Sequence, residues 1–190
     1  MNRRELLKMI TIATGGVVIA GDFLLTGCKN PSAGEGVSFT EADISFLDEV
    51  AETIFPKTTT PGGKEAGLGR FMTVMVNDCY EQKDQDAFHE GMVKLKDACL
   101  KEHNIDFVKA TPEQRTSLLN ALESERKEYQ KNKKSEEPNH YFQAFKQLTI
   151  FGYFTSKEGR TGSTRYLPVP GKYIGDYDYK KGDKIQTGLG

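Results

Sequence analysis

Between Phe39 and Pro56 the chain repeats apolar side chains at the spacing of one helical face. Ile44, Leu47, Val50, Ala51 and Ile54 recur three or four residues apart, and Pro56, which has no N–H to continue a helical ladder, ends the run. Thr40 stands where an N-cap belongs, acidic Glu41 and Asp43 fill the first turn, and Phe39 is spaced to staple onto Ile44. The pattern then repeats. Leu68, Phe71, Met72, Met75, Val76 and Cys79 mark a second helix over 68–80, and Phe88, Met92, Leu95 and Cys99 a third over 84–103. A fourth opens with Thr111-Pro112-Glu113-Gln114, a cap, a proline at the first helical position and a capping-box glutamine, and continues through Leu118, Leu119 and Leu122. A fifth, from about Asn139, carries Tyr141, Phe142, Phe145, Leu148, Phe151, Tyr153 and Phe154. These spread over more than one face, which requires either deep burial or a second surface packed on something else. The expected fold class is all-α: a small irregular bundle of about five helices.

Two polar interruptions divide the run. Lys57–Gly67, with Pro61, Gly62, Gly63 and its threonines, is a loop by composition, and Lys131–Pro138 is a second break. From Gly159 the character changes. Gly, Pro and Tyr dominate Thr164–Tyr177 with no helical period, so an extended C-terminal tail is expected. Exposed aromatics in such number are unfavourable in water, which places the tail against this domain or against a partner. No internal repeat is evident.

The N-terminus concerns destination. Asn2-Arg3-Arg4-Glu5-Leu6-Leu7-Lys8 precedes a mostly apolar stretch from Met9 to Gly27 and has the form of a twin-arginine export signal, with Asn2 in place of a hydroxyl residue and Leu6 in place of Phe. Gly15, Gly16, Gly21 and Asp22 interrupt the roughly 20 uninterrupted apolar residues that a spanning helix needs, so the stretch reads as a cleaved signal core. Leu25-Thr26-Gly27-Cys28 resembles a bacterial lipobox, with Cys28 as the lipidated residue; the alternative is an uncleaved anchor with Cys28 an ordinary thiol. Residues 29–38 are small, polar and aperiodic, a tether reaching about 17 Å on average. The expected organisation is a signal peptide over 1–27, a lipidated tether over 28–38, a helical domain over 39–158 and a partner-binding tail over 159–190. The domain is expected to be exported, periplasmic and lipid-anchored to a membrane. Because the twin-arginine route carries folded cargo, the chain is expected to travel in company.

Composition removes several function classes. Lys and Arg number 26 and Asp and Glu 27, and without the charges of the signal the balance is about −2, with no basic stripe for nucleic acid. Cys79 and Cys99 fall far apart on an antiparallel pair of helices, over roughly 20 Å at 1.5 Å per residue, so both read as buried free thiols. His89-Glu90-Gly91-Met92-Val93 starts like a zinc-protease helix but has Val93 where the second histidine belongs. Gly67-Leu68-Gly69 has Met72 in place of a third glycine and no preceding strand, and Pro61-Gly62-Gly63-Lys64 lacks the rest of a phosphate loop. His103 and His140 have no second ligand at helical spacing. The carboxylates are mixed with lysines and read as surface ion pairs. No catalytic, cofactor-binding or metal-ligating set is found, and catalysis is expected elsewhere.

Two long stretches carry a resemblance. Ala51-Glu52-Thr53-Ile54-Phe55-Pro56 with Thr60-Pro61-Gly62-Gly63-Lys64-Glu65-Ala66-Gly67, and Leu148-Thr149-Ile150-Phe151-Gly152-Tyr153-Phe154-Thr155-Ser156-Lys157-Glu158-Gly159, resemble the gluconate 2-dehydrogenase subunit 3 family. The segment Arg165–Tyr173 is similar to the members found in Bacteroidetes-type bacteria. The resemblance implies a small, helical, non-catalytic subunit that accompanies a large FAD-binding flavoprotein of the glucose-methanol-choline type, often with a cytochrome c carrying haem c. It implies co-export of that flavoprotein on the signal of the small subunit, here with a lipobox where the family usually has a simple cleavable signal. The loop 56–67, the segment Gly152–Arg165 and the tail are the expected contacts, with Tyr153, Phe154, Arg165 and Tyr166 as partner-binding anchors, since aromatics and Arg dominate interface energies. Tyr153 and Phe154 have an equal alternative as core residues. A free-standing envelope lipoprotein with a small-ligand-binding or structural role is the competing reading of the whole chain.

Overall fold

The computed structural model describes residues 38–187 apart from Glu136, Pro170 and Tyr173; Arg3, Arg4 and Cys28 lie outside the described residues. Its first helix begins at the cap marked in the sequence. Thr40 accepts the Asp43 N–H at 3.2 Å while the Asp43 carboxylate accepts the Thr40 N–H at 3.1 Å, a reciprocal box that satisfies donors the helix start would leave unpaired. Helix α1 (Glu41–Ile54) is followed by α2 (Leu68–Cys79), α3 (Gln82–His103), α4 (Pro112–Asn132), α5 (Tyr141–Thr155) and α6 (Lys157–Ser163). Two short strands complete the described chain, β1 (Arg165–Tyr166) and β2 (Gln186–Thr187). The protein is all-α in class, and the Thr111–Gln114 box starts α4 as expected.

Helices α1 and α5 are the centre of the bundle. α1 packs against α2, α4 and α5, and α5 also meets α2, α3, α4 and α6. Phe46, Leu47, Val50, Met72, Leu95, Phe107 and Phe145 are fully buried between them. Burial of each such side chain contributes about 1.5–3 kcal/mol. Phe46 meets Phe107 edge-on at 5.4 Å, and Phe88 meets Phe145 at 4.5 Å. Gly91 lets α3 approach α5 closely, since a Cβ there would stand 3.1 Å from the Phe145 ring. Phe39, expected to staple onto Ile44, has its ring on α3, stacked at 4.2 Å on His89.

Several carboxylates read as surface ion pairs prove to be internal fasteners. Glu49 binds both Lys64 and Arg115, and the side chains of Glu49 and Arg115 are largely buried. Burial pushes the Glu49 carboxyl up, but the Lys64 and Arg115 contacts outweigh it and hold the group below its ordinary value. Arg115 also donates to the carbonyls of Ala110 at 3.0 Å and Val108 at 3.1 Å, so one guanidinium ties α1, the α3–α4 connection and α4 together. Cys99 is buried as expected, but Cys79, the last residue of α2, is exposed although it shares the helical face of Met72 and Val76.

The extended character of the tail starts later than Gly159. Ser156 caps α6 by accepting the Gly159 N–H at 3.0 Å, and the helix runs on to Ser163 despite two glycines. The tail then closes on itself: β1 and β2 pair in parallel, Arg165 opposite Gln186 and Tyr166 opposite Thr187. Lys184 Nζ donates to the Gly162 carbonyl at 2.6 Å, and the hydroxyls of Thr164 and Thr187 meet at 2.8 Å. The segment is a loop fastened at its base.

Glu123 provides the pH test of this bundle. Arg126 hydrogen-bonds it at 2.7 and 2.8 Å and Lys146 of α5 reaches it at 2.7 Å; the Arg126 bonds first, then Lys146, pull its carboxyl from 4.5 down to about 2 against the opposing effect of burial. A depressed carboxylate adds stability that is complete above its unfolded pKa and fades as pH falls towards the folded value. The change Glu123→Gln is therefore expected to cost about 1–3 kcal/mol at neutral pH. It should also flatten the decline of stability between pH 4.5 and about 2. Urea denaturation over a pH series measures both, and an unchanged slope would assign the acid sensitivity to other groups.

Candidate partner-binding surface

The two sequence stretches that stand out, 51–67 and 148–159, meet in space. Their junction starts from α1. Glu52 accepts the N–H of Lys57 and the N–H of Lys64, both at 2.9 Å, and so gathers the two ends of the intervening loop onto one carboxylate. Gly63 donates to the Phe55 carbonyl at 2.8 Å and passes so close to α1 that a Cβ would lie 2.5 Å from the Ala51 oxygen. The next carboxylate along the helix, Asp48, accepts the Gly69 N–H at 2.8 Å. It replaces the cap that Gly67, at φ +65°, cannot give to α2. Burial pushes the Asp48 carboxyl up despite that bond.

Tyr153 locks the loop to α5. Its ring stacks on Phe55 with centroids 4.3 Å apart and planes 6° from parallel, and its hydroxyl donates to the Pro61 carbonyl at 2.7 Å. The same hydroxyl lies 3.1 Å from Ser163 Oγ at the end of α6. Tyr153 is only 2% exposed, so it is an internal strut and not an anchor offered to a partner. Gly152 beside it admits Phe71, whose ring carbon would be 2.6 Å from a Cβ at that position.

Phe154, one residue on and about 100° round the helix, faces outward and is 45% exposed. Phe151 is 52% exposed and stands with Ile150 on the same outer side of α5, while Phe142, Phe145, Thr149 and Tyr153 fill the inner side. Phe71 of α2 joins this surface with its ring 5.9 Å from Phe151, and Phe55 supports Phe154 edge-on at 5.8 Å. The result is an apolar ridge built on a rigid support. Ile150 and Phe151 were absent from the expected anchors, although their spacing to Phe154 in the sequence already sets them opposite Phe142, Phe145 and Thr149.

Arg165 and Tyr166 lie beyond α6, on β1, and both are exposed. Arg165 Nη1 donates to the Tyr177 hydroxyl at 2.7 Å, and the Arg160 guanidinium of α6 covers the Tyr166 ring at 4.6 Å. They form a second surface carried by the closed loop. Among the described residues no group of three or more His, Cys, Asp or Glu side chains is placed to hold a metal ion, and no helix is long and apolar enough to cross a membrane. The arrangement is suited to binding another macromolecule through apolar contact and charge.

Residues 41–171 match the family model described as gluconate 2-dehydrogenase subunit 3. No curated protein and no solved structure gives a significant match. The match spans α1 to α6 and the first part of the closed loop.

The internal and external aromatics should respond differently to mutation. Tyr153→Phe removes the bond to Pro61 and is expected to cost about 1–2 kcal/mol in urea denaturation. It should also speed amide hydrogen exchange across 58–66. Phe154→Ser is expected to change stability by less than about 1 kcal/mol, because the ring it removes is already half in water.

Proposed function

We propose, from the premise that this chain belongs to the gluconate 2-dehydrogenase subunit 3 family, that it is the non-catalytic small subunit of a flavin-dependent sugar or sugar-acid dehydrogenase. The observation that carries the reading is the family match over 41–171, which covers the loop, the α5 ridge and the clamp between them. In this reading the large subunit, of the glucose-methanol-choline type, holds FAD and performs the oxidation, and a cytochrome subunit with haem c takes the electrons. The small subunit stabilises the flavoprotein, is exported with it on the Arg3-Arg4 signal and tethers it to a membrane through Cys28.

The physical support is the unpartnered ridge. Phe151, Phe154 and Ile150 leave an apolar surface on a helix whose opposite side is already buried, and Phe71 and Phe55 fix the rings in place. Aromatics held rigid by neighbours lose little side-chain freedom on binding, which is what an interface anchor requires. Tyr153 acts one step back, as a positioning residue that holds the loop and α5 in register. The tether is short, so the dehydrogenase would work close to the bilayer.

The experiment is a mild-detergent affinity purification of the tagged native protein, read by mass spectrometry and by flavin absorbance of the eluate. A stoichiometric yellow flavoprotein is expected with the wild-type chain, and its loss with Phe151→Ser/Phe154→Ser, whose fold circular dichroism should find intact. Cys28→Ala should move the complex from the membrane fraction to the soluble one. A colourless eluate containing this chain alone would overturn the reading and favour a free-standing lipoprotein.

A further inference from the structure

The formal charge of the chain is divided unevenly. Over 38–156 fifteen Lys and Arg face twenty Asp and Glu, a net of −5, whereas over 157–190 seven face four, a net of +3. The basic end takes in α6 and the loop that β1 and β2 close, and the loop by itself carries five Lys and Arg against three Asp, a net of +2. Inside that loop lies an open groove of about 630 Å³, lined by Arg165, Tyr177, Tyr179, Asp183, Lys184 and Ile185. Tyr179 is 70% exposed and Ile185 71%, so the groove presents aromatic and aliphatic surface to solvent beside two cations.

We infer that the 165–187 loop is a clasp whose tyrosine-lined, basic groove takes an extended acidic segment of the catalytic partner. The inference rests on the accessory-subunit reading and adds to it the chemistry of one contact. Two observations fit an extended peptide. Arg165 and Leu167 donate their N–H groups to Ile185 and Thr187 at 3.0 and 2.8 Å, which turns the intervening Tyr166 backbone to the outer edge of β1, where a third strand can pair. Two-residue strands are too short to be stable alone, and a third strand would complete the sheet.

Charge complementarity selects an acidic occupant. Long-range attraction between a +3 arm and an acidic surface raises the rate of encounter, and the −5 body would repel the same surface if approached from the wrong side. An anionic lipid surface also attracts lysines, but the arm interleaves Asp176, Asp178 and Asp183 with its Lys residues. A partner that places each charge in register tolerates such carboxylates, while a uniform sheet of anionic headgroups repels them.

The test uses the purified native complex in mild detergent with full-length variants. Lys180→Glu/Lys181→Glu reverses two charges on the turn where Lys180 N–H bonds Asp183 at 2.9 Å, and Tyr179→Ala removes a groove wall. Each is expected to weaken capture of the flavoprotein about tenfold or more, with the charge reversal also flattening the salt dependence. Lys180→Arg/Lys181→Arg should retain both, and melting temperatures should stay level because these side chains are exposed. Unchanged capture and salt slope in both variants, with the complex still lost in Phe151→Ser/Phe154→Ser, would overturn the clasp and leave the accessory-subunit reading standing. A wild-type eluate without flavoprotein would overturn both. Lost sedimentation of the charge-reversed chain with phosphatidylglycerol vesicles, at unchanged capture, would reassign the arm to a lipid surface.

Discussion

Three carboxylates on one side of α1 hold the structure in register. Asp48 caps α2, Glu49 bridges Lys64 and Arg115, and Glu52 collects both ends of the loop that follows the helix. Asp48 and Glu52 accept backbone N–H groups that would otherwise be left unpaired at a helix start or in a tight turn, where an unmet N–H costs about 1–3 kcal/mol. Glu49, the most enclosed by cations of the three, is paired with Lys64 on one side and Arg115 on the other, which offsets the cost of its burial. The apolar face of α1 turns inward at the same time, so a single helix supplies core packing and the frame for everything around it.

That frame determines where the aromatic helix sits. With the loop pinned to α1, Pro61 presents its carbonyl to Tyr153 and its ring to Gly162, where a Cβ would lie 2.7 Å away. α5 is then clamped between the loop and α6, which leaves Ile150, Phe151 and Phe154 exposed on its outer side. The exposed ridge of Phe151 and Phe154 is a consequence of this clamp. α6 in turn carries β1, so the closed loop is built outward from the same carboxylates by way of Tyr153 and Ser163.

Elements that depend on neighbours in the chain were legible. The caps at Thr40 and Thr111 work through residues three positions away, and the helices they start lie within two residues of the expected bounds. α6 was not legible, because Gly159 and Gly162 disfavour a helix by local propensity. It forms because glycine is what fits there: a Cβ at Gly159 would come within 1.9 Å of the Tyr153 carbonyl oxygen. The tail was read as aperiodic and aromatic, but its closure by four residues of parallel pairing joins positions 21 apart, which no local pattern reveals. Of the four residues expected as anchors, Phe154, Arg165 and Tyr166 are exposed, whereas Tyr153 is turned inward by its stack on Phe55.

The amino-acid sequence by itself determined the all-α class, the order of the principal helices and the mismatch between apolar surface and available core in α5, because helical period, caps and helix-breaking residues act over three or four positions. Only the tertiary structure decided which carboxylates are structural, which of two adjacent aromatics faces solvent, and that the tail returns on itself. Those outcomes depend on the direction in which a side chain meets groups distant in the chain, such as Tyr153 with Pro61 or Glu49 with Arg115. Periodicity says which residues share a face; it does not say what stands opposite that face.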